Sequence, residues 1–291
     1  SQLAHYRIPA CFVQAHPTKG RSFVVASRKE WGVVDAGSDV LSASSYTELA
    51  QGGGLHGLPS PEGMQIEGVC MSGDGSQVAA VVSGFSSGGG ASILLWAGVD
   101  QTERCASAGS RIISPATLTG AGSFLAAQFL GSNALAAVED TGDGDTVSLS
   151  VWGVADAVQA QTVTVTKATV ENASEDLLVS TDYPPYLQYS LLSVSGGGAD
   201  SERFLMMSSR KSTAVLCFAV GGEDSGVPYL AHVTPVDLKA PLLSLDCSVI
   251  SASEQHRVEA QSHLEISCYQ EMGLAQQAIV QQHHMLSAEL R

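Results

Sequence analysis

The chain has 291 residues, 44% of them hydrophobic, with 14 Lys+Arg against 29 Asp+Glu and a formal net charge of −15. That length can build one large core, the hydrophobic content excludes disorder by composition, and no apolar run reaches the ~18 to 20 residues of a membrane helix. The acidic balance disfavours broad electrostatic binding to RNA, DNA or anionic lipid, so no direct nucleic-acid or membrane partner is expected. The start, Ser1-Gln-Leu-Ala-His-Tyr6, has neither the basic residues nor the apolar stretch of a signal peptide. We read the chain as a soluble intracellular domain spanning 1–291, excised from a longer protein. Six cysteines, Cys11, Cys70, Cys105, Cys217, Cys247 and Cys268, form no CxxC pair and mostly sit in apolar runs. They are expected to be reduced and structural.

In chain order the apolar runs are strand-length: Phe23-Val-Val-Ala26, Val78-Ala-Ala-Val-Val82, Ser92-Ile-Leu-Leu-Trp96, Leu135-Ala-Ala-Val138, Val147-Ser-Leu-Ser-Val-Trp152, Phe204-Leu-Met-Met207 and Ala214-Val-Leu-Cys-Phe218. Gly, Ser, Asn or Asp bound most of them, and glycines cluster at turns such as Ser72-Gly-Asp-Gly75 and Thr141-Gly-Asp-Gly144. Helical apolar periodicity is confined to Glu271–Leu290, a Gln-rich stretch where a weak helix is expected. The class is all-β.

A repeat sharpens this. Strand, polar turn, strand, longer loop and a third strand ending in an aromatic or sulfur residue recur from Ala10 to Asp35, Ile66 to Trp96, Phe124 to Trp152, Leu191 to Phe218 and Leu242 to Tyr269. In the first copy Trp31 precedes the last strand. Such units need neighbours to cover both faces of each sheet, which is the grammar of a WD-repeat-type β-propeller. Trp96 and Trp152 are then expected to be buried in equivalent third strands of consecutive units. About five units are visible, pointing to a short propeller or, preferably, to a seven-bladed form lacking its first blades. A large sandwich or barrel is the alternative.

Chemistry is scarce. Asp140-Thr-Gly-Asp-Gly-Asp145 has the acidity of a calcium loop, but the twelfth position, where a bidentate Glu is needed, is Val151, so a hairpin turn is expected. His283-His284 lacks partners at ligand spacing, and the other histidines (His5, His16, His56, His232, His256, His263) are scattered. No HExxH, GxSxG or phosphate loop occurs. No catalytic residue, cofactor or metal is assigned, and the chain is expected not to be an enzyme. The basic pairs Arg28-Lys29 and Arg210-Lys211 fall in predicted turns, where edge protection and solubility explain them.

Asp182-Tyr-Pro-Pro-Tyr-Leu-Gln-Tyr189 stands out, because paired prolines extend the backbone and three tyrosines offer rigid amphipathic area. Tyr183, Tyr186 and Tyr189 are the candidate protein-binding residues. The competing reading is an insertion strapped over the rim, with the tyrosines packed on their own blade.

The run Glu202-Arg-Phe-Leu-Met-Met-Ser-Ser-Arg-Lys-Ser-Thr-Ala-Val-Leu-Cys-Phe218, followed by Tyr229–Leu245 and His263–Ile279, resembles the end of the WD-repeat domain in the enhancer-of-mRNA-decapping scaffold family (Ge-one, or Varicose in plants). The matching places are Arg210-Lys211, Pro241-Leu-Leu-Ser244, Cys268-Tyr269 and Gln276-Gln277, while Phe23-Val-Val-Ala-Ser-Arg-Lys-Glu-Trp-Gly-Val-Val-Asp35 is similar to a middle blade. The chain departs from the family in its long glycine-rich loops and low aromatic content. The resemblance implies a scaffold domain that gathers decapping factors or their peptide segments in cytoplasmic processing bodies. Other classes open to such a fold are a WD-repeat adaptor in trafficking or ubiquitin complexes and a propeller enzyme.

Overall fold

The structure, a computed structural model, describes residues 12–18, 20, 22–35, 55–56, 64–84, 91–97, 99, 116–118, 122–167, 189–195, 203–222, 226–237, 242–250, 263–270, 275–281 and 288–289. The elements are strands arranged in five sheets. The first contains β1 (Phe12–Ala15), β2 (Ser22–Ala26), β3 (Trp31–Asp35) and β4 (Leu55–His56); the second contains β5 (Gln65–Met71), β6 (Gln77–Ser83), β7 (Ser92–Ala97) and β8 (Ala116–Leu118). The third holds β9 (Ser123–Phe129), β10 (Ala134–Asp140), β11 (Thr146–Gly153) and β12 (Gln159–Thr166), and the fourth holds β13 (Tyr189–Ser195), β14 (Arg203–Ser209), β15 (Ala214–Gly221) and β16 (Tyr229–Asp237). The fifth comprises β17 (Leu242–Ile250), β18 (His263–Gln270) and β19 (Ala275–Gln281), while β20 (Ala288–Glu289) pairs with β16.

In every sheet consecutive strands are neighbours, so the fold is all-β and propeller-type, a series of antiparallel meanders. The five sheets follow the five units read from the sequence, except that Tyr269, expected in a third strand, lies in β18, the second strand of the fifth sheet. Middle strands are buried on both faces, as in β6 (Val78 to Val82), β10 (Ala134 to Glu139) and β14 (Phe204 to Ser209), which is why they read as continuous apolar runs. Outer strands alternate: β12 exposes Thr162, Thr164 and Thr166 and turns Val163 and Val165 inward. The chain divides into two compact units, Ser1–Leu135 with Val154–Ala157, and Ala136–Gly153 with Val158–Arg291.

Trp96 lies in β7 and Trp152 in β11, each the third strand of its sheet, and both are buried as expected. Trp31 opens β3, so it too belongs to a third strand rather than preceding one. The helix expected within Glu271–Leu290 is corrected, since Ala275–Gln281 is strand β19, paired with β18 from Tyr269↔Ala275 to His263↔Gln281. A seven-residue ladder supplies the backbone bonds that the weak helical period alone could not secure.

Both acidic glycine turns are hairpins locked by their own side chains. In the first, Asp74 Oδ1 accepts from Ser72 Oγ at 2.6 Å, Ser76 N–H at 3.0 Å and Ser76 Oγ at 2.8 Å. In the second, Asp140 Oδ1 accepts from Gly142 N–H at 3.0 Å, and Asp143 Oδ1 accepts from Asp145 N–H at 3.0 Å and Thr146 N–H at 2.8 Å. Positive φ values of 82° at Gly142 and 84° at Gly144 let the chain reverse there. The hairpin expected at Asp140–Asp145 is therefore what forms. Arg28-Lys29 and Arg210-Lys211 also fall in turns, between β2 and β3 and between β14 and β15.

Candidate functional site

The tyrosine segment singled out from the sequence divides. Tyr183 and Tyr186 lie outside the described residues. Tyr189 is only 4% exposed and begins β13 opposite Ser209, so its ring packs into the fold and is withdrawn from a partner. Among the described residues no three His, Cys, Asp or Glu side chains converge as a metal set, and no helix is long and apolar enough to cross a membrane. His283 and His284 lie outside the described residues. Cys70 and Cys217 are free, buried thiols, and burial pushes the Cys70 thiol up to about 12 against weaker lowering by hydrogen bonds with Phe129 and Ala79. A thiol held that firmly protonated is a poor nucleophile.

What the geometry does assemble is an apolar patch that sequence reasoning missed. Five large hydrophobic side chains are exposed among the described residues, Val13, Phe23, Val158, Val227 and Tyr229. Two of them, Val227 and Tyr229, stand beside one clasp. Gln161 of β12 receives Leu230 N–H on its Oε1 at 2.7 Å and donates its Nε2 to Leu230 O at 3.0 Å, so one side-chain amide satisfies both backbone groups of a residue in β16. Tyr229 immediately precedes Leu230 and is 51% exposed, and Val227, two residues before Tyr229, is 40% exposed; the Val227 carbonyl and the Tyr229 ring both flank Gly222.

Tyr229 is set in place by an absent side chain. In the β15–β16 pairing Gly221 stands opposite Tyr229, and a Cβ on Gly221 would lie 2.6 Å from the ring Cζ. The ring therefore rests on bare backbone. Next to it Gly222 takes φ 96°, and its carbonyl accepts a hydrogen bond from Arg203 Nη2. The patch thus joins a restrained aromatic ring to Val227, with hydrogen bonds that hold its frame, which suits capture of an apolar side chain of another protein. The sequence signal that could have found it is the Gly-Gly of Gly221-Gly222 eight residues before Tyr229 across a predicted hairpin. The remaining pair, Val13 and Phe23, shares one face of the β1–β2 ladder with Val25 and Ala15, through the registers Val13↔Val25 and Ala15↔Phe23.

No protein-family model matches the chain, and no curated protein does. Among solved structures, the chain is similar to the β-propeller domain of the Trilobed protease from Pyrococcus furiosus, with 10% identity over 93% of this chain and 83% of that one and a TM-score of 0.36. It is also similar to prolyl oligopeptidase B from Galerina marginata, at 9% identity over 96% of this chain and 38% of that one with a TM-score of 0.41. A chain in the mitotic checkpoint complex matches at 14% identity over 90% of this chain and 73% of that one, with a TM-score of 0.34. Two of these three come from peptidases, which corrects the expectation that this chain stands apart from enzymes. That expectation rested on missing sequence motifs, whose absence does not by itself exclude catalysis.

Proposed function

We propose that this chain is the protein-binding propeller of an mRNA-decapping scaffold, and that it holds decapping factors in cytoplasmic processing bodies through an exposed surface. The observation that carries the protein-binding reading is Tyr229, half exposed and seated on Gly221 near Val227. A rigid aromatic ring beside aliphatic side chains gives contact area at low entropic cost. The decapping assignment draws its support from the resemblance of the runs beginning at Glu202, Tyr229 and His263, which map onto β14 through β19 in order. The −15 charge favours a protein partner with basic segments over an RNA backbone.

The test is affinity capture of the tagged domain from cells, blotted for the decapping enzyme and its activators, in parallel for wild type and Tyr229→Ala. Recovery by the wild type and loss with the variant is the expected result. Recovery of trafficking or ubiquitin-ligase subunits in place of decapping factors contradicts the assignment, and tight binding of single-stranded RNA by the isolated chain contradicts the protein-binding reading.

A further inference from the structure

The patch at Tyr229 borders an open sheet edge. Strand β12 is the terminal strand of its sheet, in the order β12-β11-β10-β9, and among the described residues its backbone pairs only with β11, from Thr146↔Thr166 to Trp152↔Gln159. A terminal strand leaves alternate N–H and C=O groups without ladder partners. Natural edges are commonly protected by lysine, proline or an inward charge, yet Gln159-Ala-Gln-Thr-Val-Thr-Val-Thr166 has no charge and no proline, and five of its eight residues, consecutive from Thr162 to Thr166, are β-branched. Near its start the clasp from Gln161 to Leu230 bonds a neighbouring backbone by a side chain, and the exposed Thr162, Thr164 and Thr166 continue beyond it.

Charge is placed at the far end. After the strand, Lys167 meets Asp140 at 3.4 Å and donates its N–H to Asp145 O at 2.8 Å, which brings the Asp140–Asp145 turn to that end. Three aspartates there face one lysine. Asp143 is held below the usual carboxylate range, chiefly by the Thr146 hydroxyl and then by Thr146 N–H, so it is charged at neutral pH.

We propose that the β12 edge receives an extended segment of a partner protein as an added antiparallel strand, about eight residues long, uncharged in its middle and basic where it meets the Asp140–Asp145 turn. Backbone bonds to β12 give the affinity, the flanking lysines or arginines meet that turn, and an apolar side chain near the other end reaches Tyr229 beside the Gln161–Leu230 clasp. This rests on the reading that the chain binds proteins and names the form its ligand takes.

The probe is a synthetic peptide, Lys-Lys-Thr-Val-Thr-Val-Thr-Val-Thr-Val-Lys-Lys, titrated against the full chain. Two N-methylated forms are compared, each blocking one alternate set of backbone amides, because only one set faces the edge. Binding of the parent, loss of at least tenfold in affinity with one methylated set and little change with the other is the expected pattern. Asp143→Asn with Asp145→Asn keeps the turn acceptors and should weaken the parent three- to tenfold, with a shallower salt dependence. Equal binding of both methylated forms, absence of binding, or dimerisation of the chain through this edge in place of peptide capture overturns the proposal. Capture of decapping factors that survives while the peptide fails would overturn the edge alone; loss of that capture with peptide binding intact would overturn the decapping reading alone.

Discussion

The tryptophans of the two compact units occupy comparable third strands and are held by different forces. In the first unit Trp31 and Trp96 meet edge to face, with ring centroids 5.3 Å apart and planes at 66°, inside a cluster that includes Val24, Ile66, Met71, Val78 and Leu94. Among the described residues neither indole N–H finds an acceptor. In the second unit Trp152 Nε1 donates to Ser150 Oγ at 2.8 Å, and that hydroxyl donates onward to Ala137 O at 3.3 Å. One site tolerates an orphaned donor because ring burial and quadrupole alignment outweigh it; the other carries a polar relay fixed by a serine two residues before the ring. A shared place in a repeat therefore fixes burial of the ring and leaves open how its polar atom is satisfied.

The largest expected effect breaks the first arrangement. Trp96→Ala removes the ring from a filled cluster and should lower stability by about 3 to 5 kcal/mol, read by urea denaturation. A loss below about 1 kcal/mol would show that the Trp31–Trp96 contact is not part of the core. Ser150→Ala strands the buried Trp152 N–H and should cost about 1 to 3 kcal/mol by the same measurement. The contrast sharpens with paired substitutions: Trp152→Phe discards a made hydrogen bond and Trp96→Phe does not, so the former should be worse by about 1 kcal/mol beyond the shared loss of volume.

Much of this was legible in the sequence. Runs such as Val78–Val82 and Leu135–Val138 announce strands covered on both faces, and the aromatics Trp31, Trp96, Trp152 and Phe218 mark third strands in four of the five units. The Ala275–Gln281 strand was not legible, because a Gln-rich stretch has little pattern of its own and takes its state from pairing with β18. Nor was the patch. Tyr183, Tyr186 and Tyr189 drew attention by density, whereas Tyr229 matters through a cross-strand glycine, a relation that exists only once the register Gly221↔Tyr229 is set.

Smaller effects probe the surface. Gly221→Ala places a methyl group where the Tyr229 ring lies, so the ring must swing away while the strand pairing remains. Partner affinity should fall at least tenfold with little change in stability, which separates a seated aromatic from an incidental one. The smallest effect is acidic. Burial raises the Asp74 carboxyl, but hydrogen bonds from Ser72 and Ser76 outweigh it and the net shift is downward. A depressed folded-state pKa stabilises the turn above the unfolded value near 4 and loses that contribution as pH falls through the folded value. Asp74→Asn should therefore flatten the acid limb of the stability profile below about pH 4.

The proposed contact places the partner at Tyr229 and the neighbouring β12 edge. Hydrogen exchange of the complex recovered from cells, compared with the free chain, tests it most directly. Slowed exchange confined to Gln159–Thr166 and the start of β16 is the predicted footprint. Protection that instead falls on β1 and β2, around Val13 and Phe23, with β12 unchanged, would contradict it.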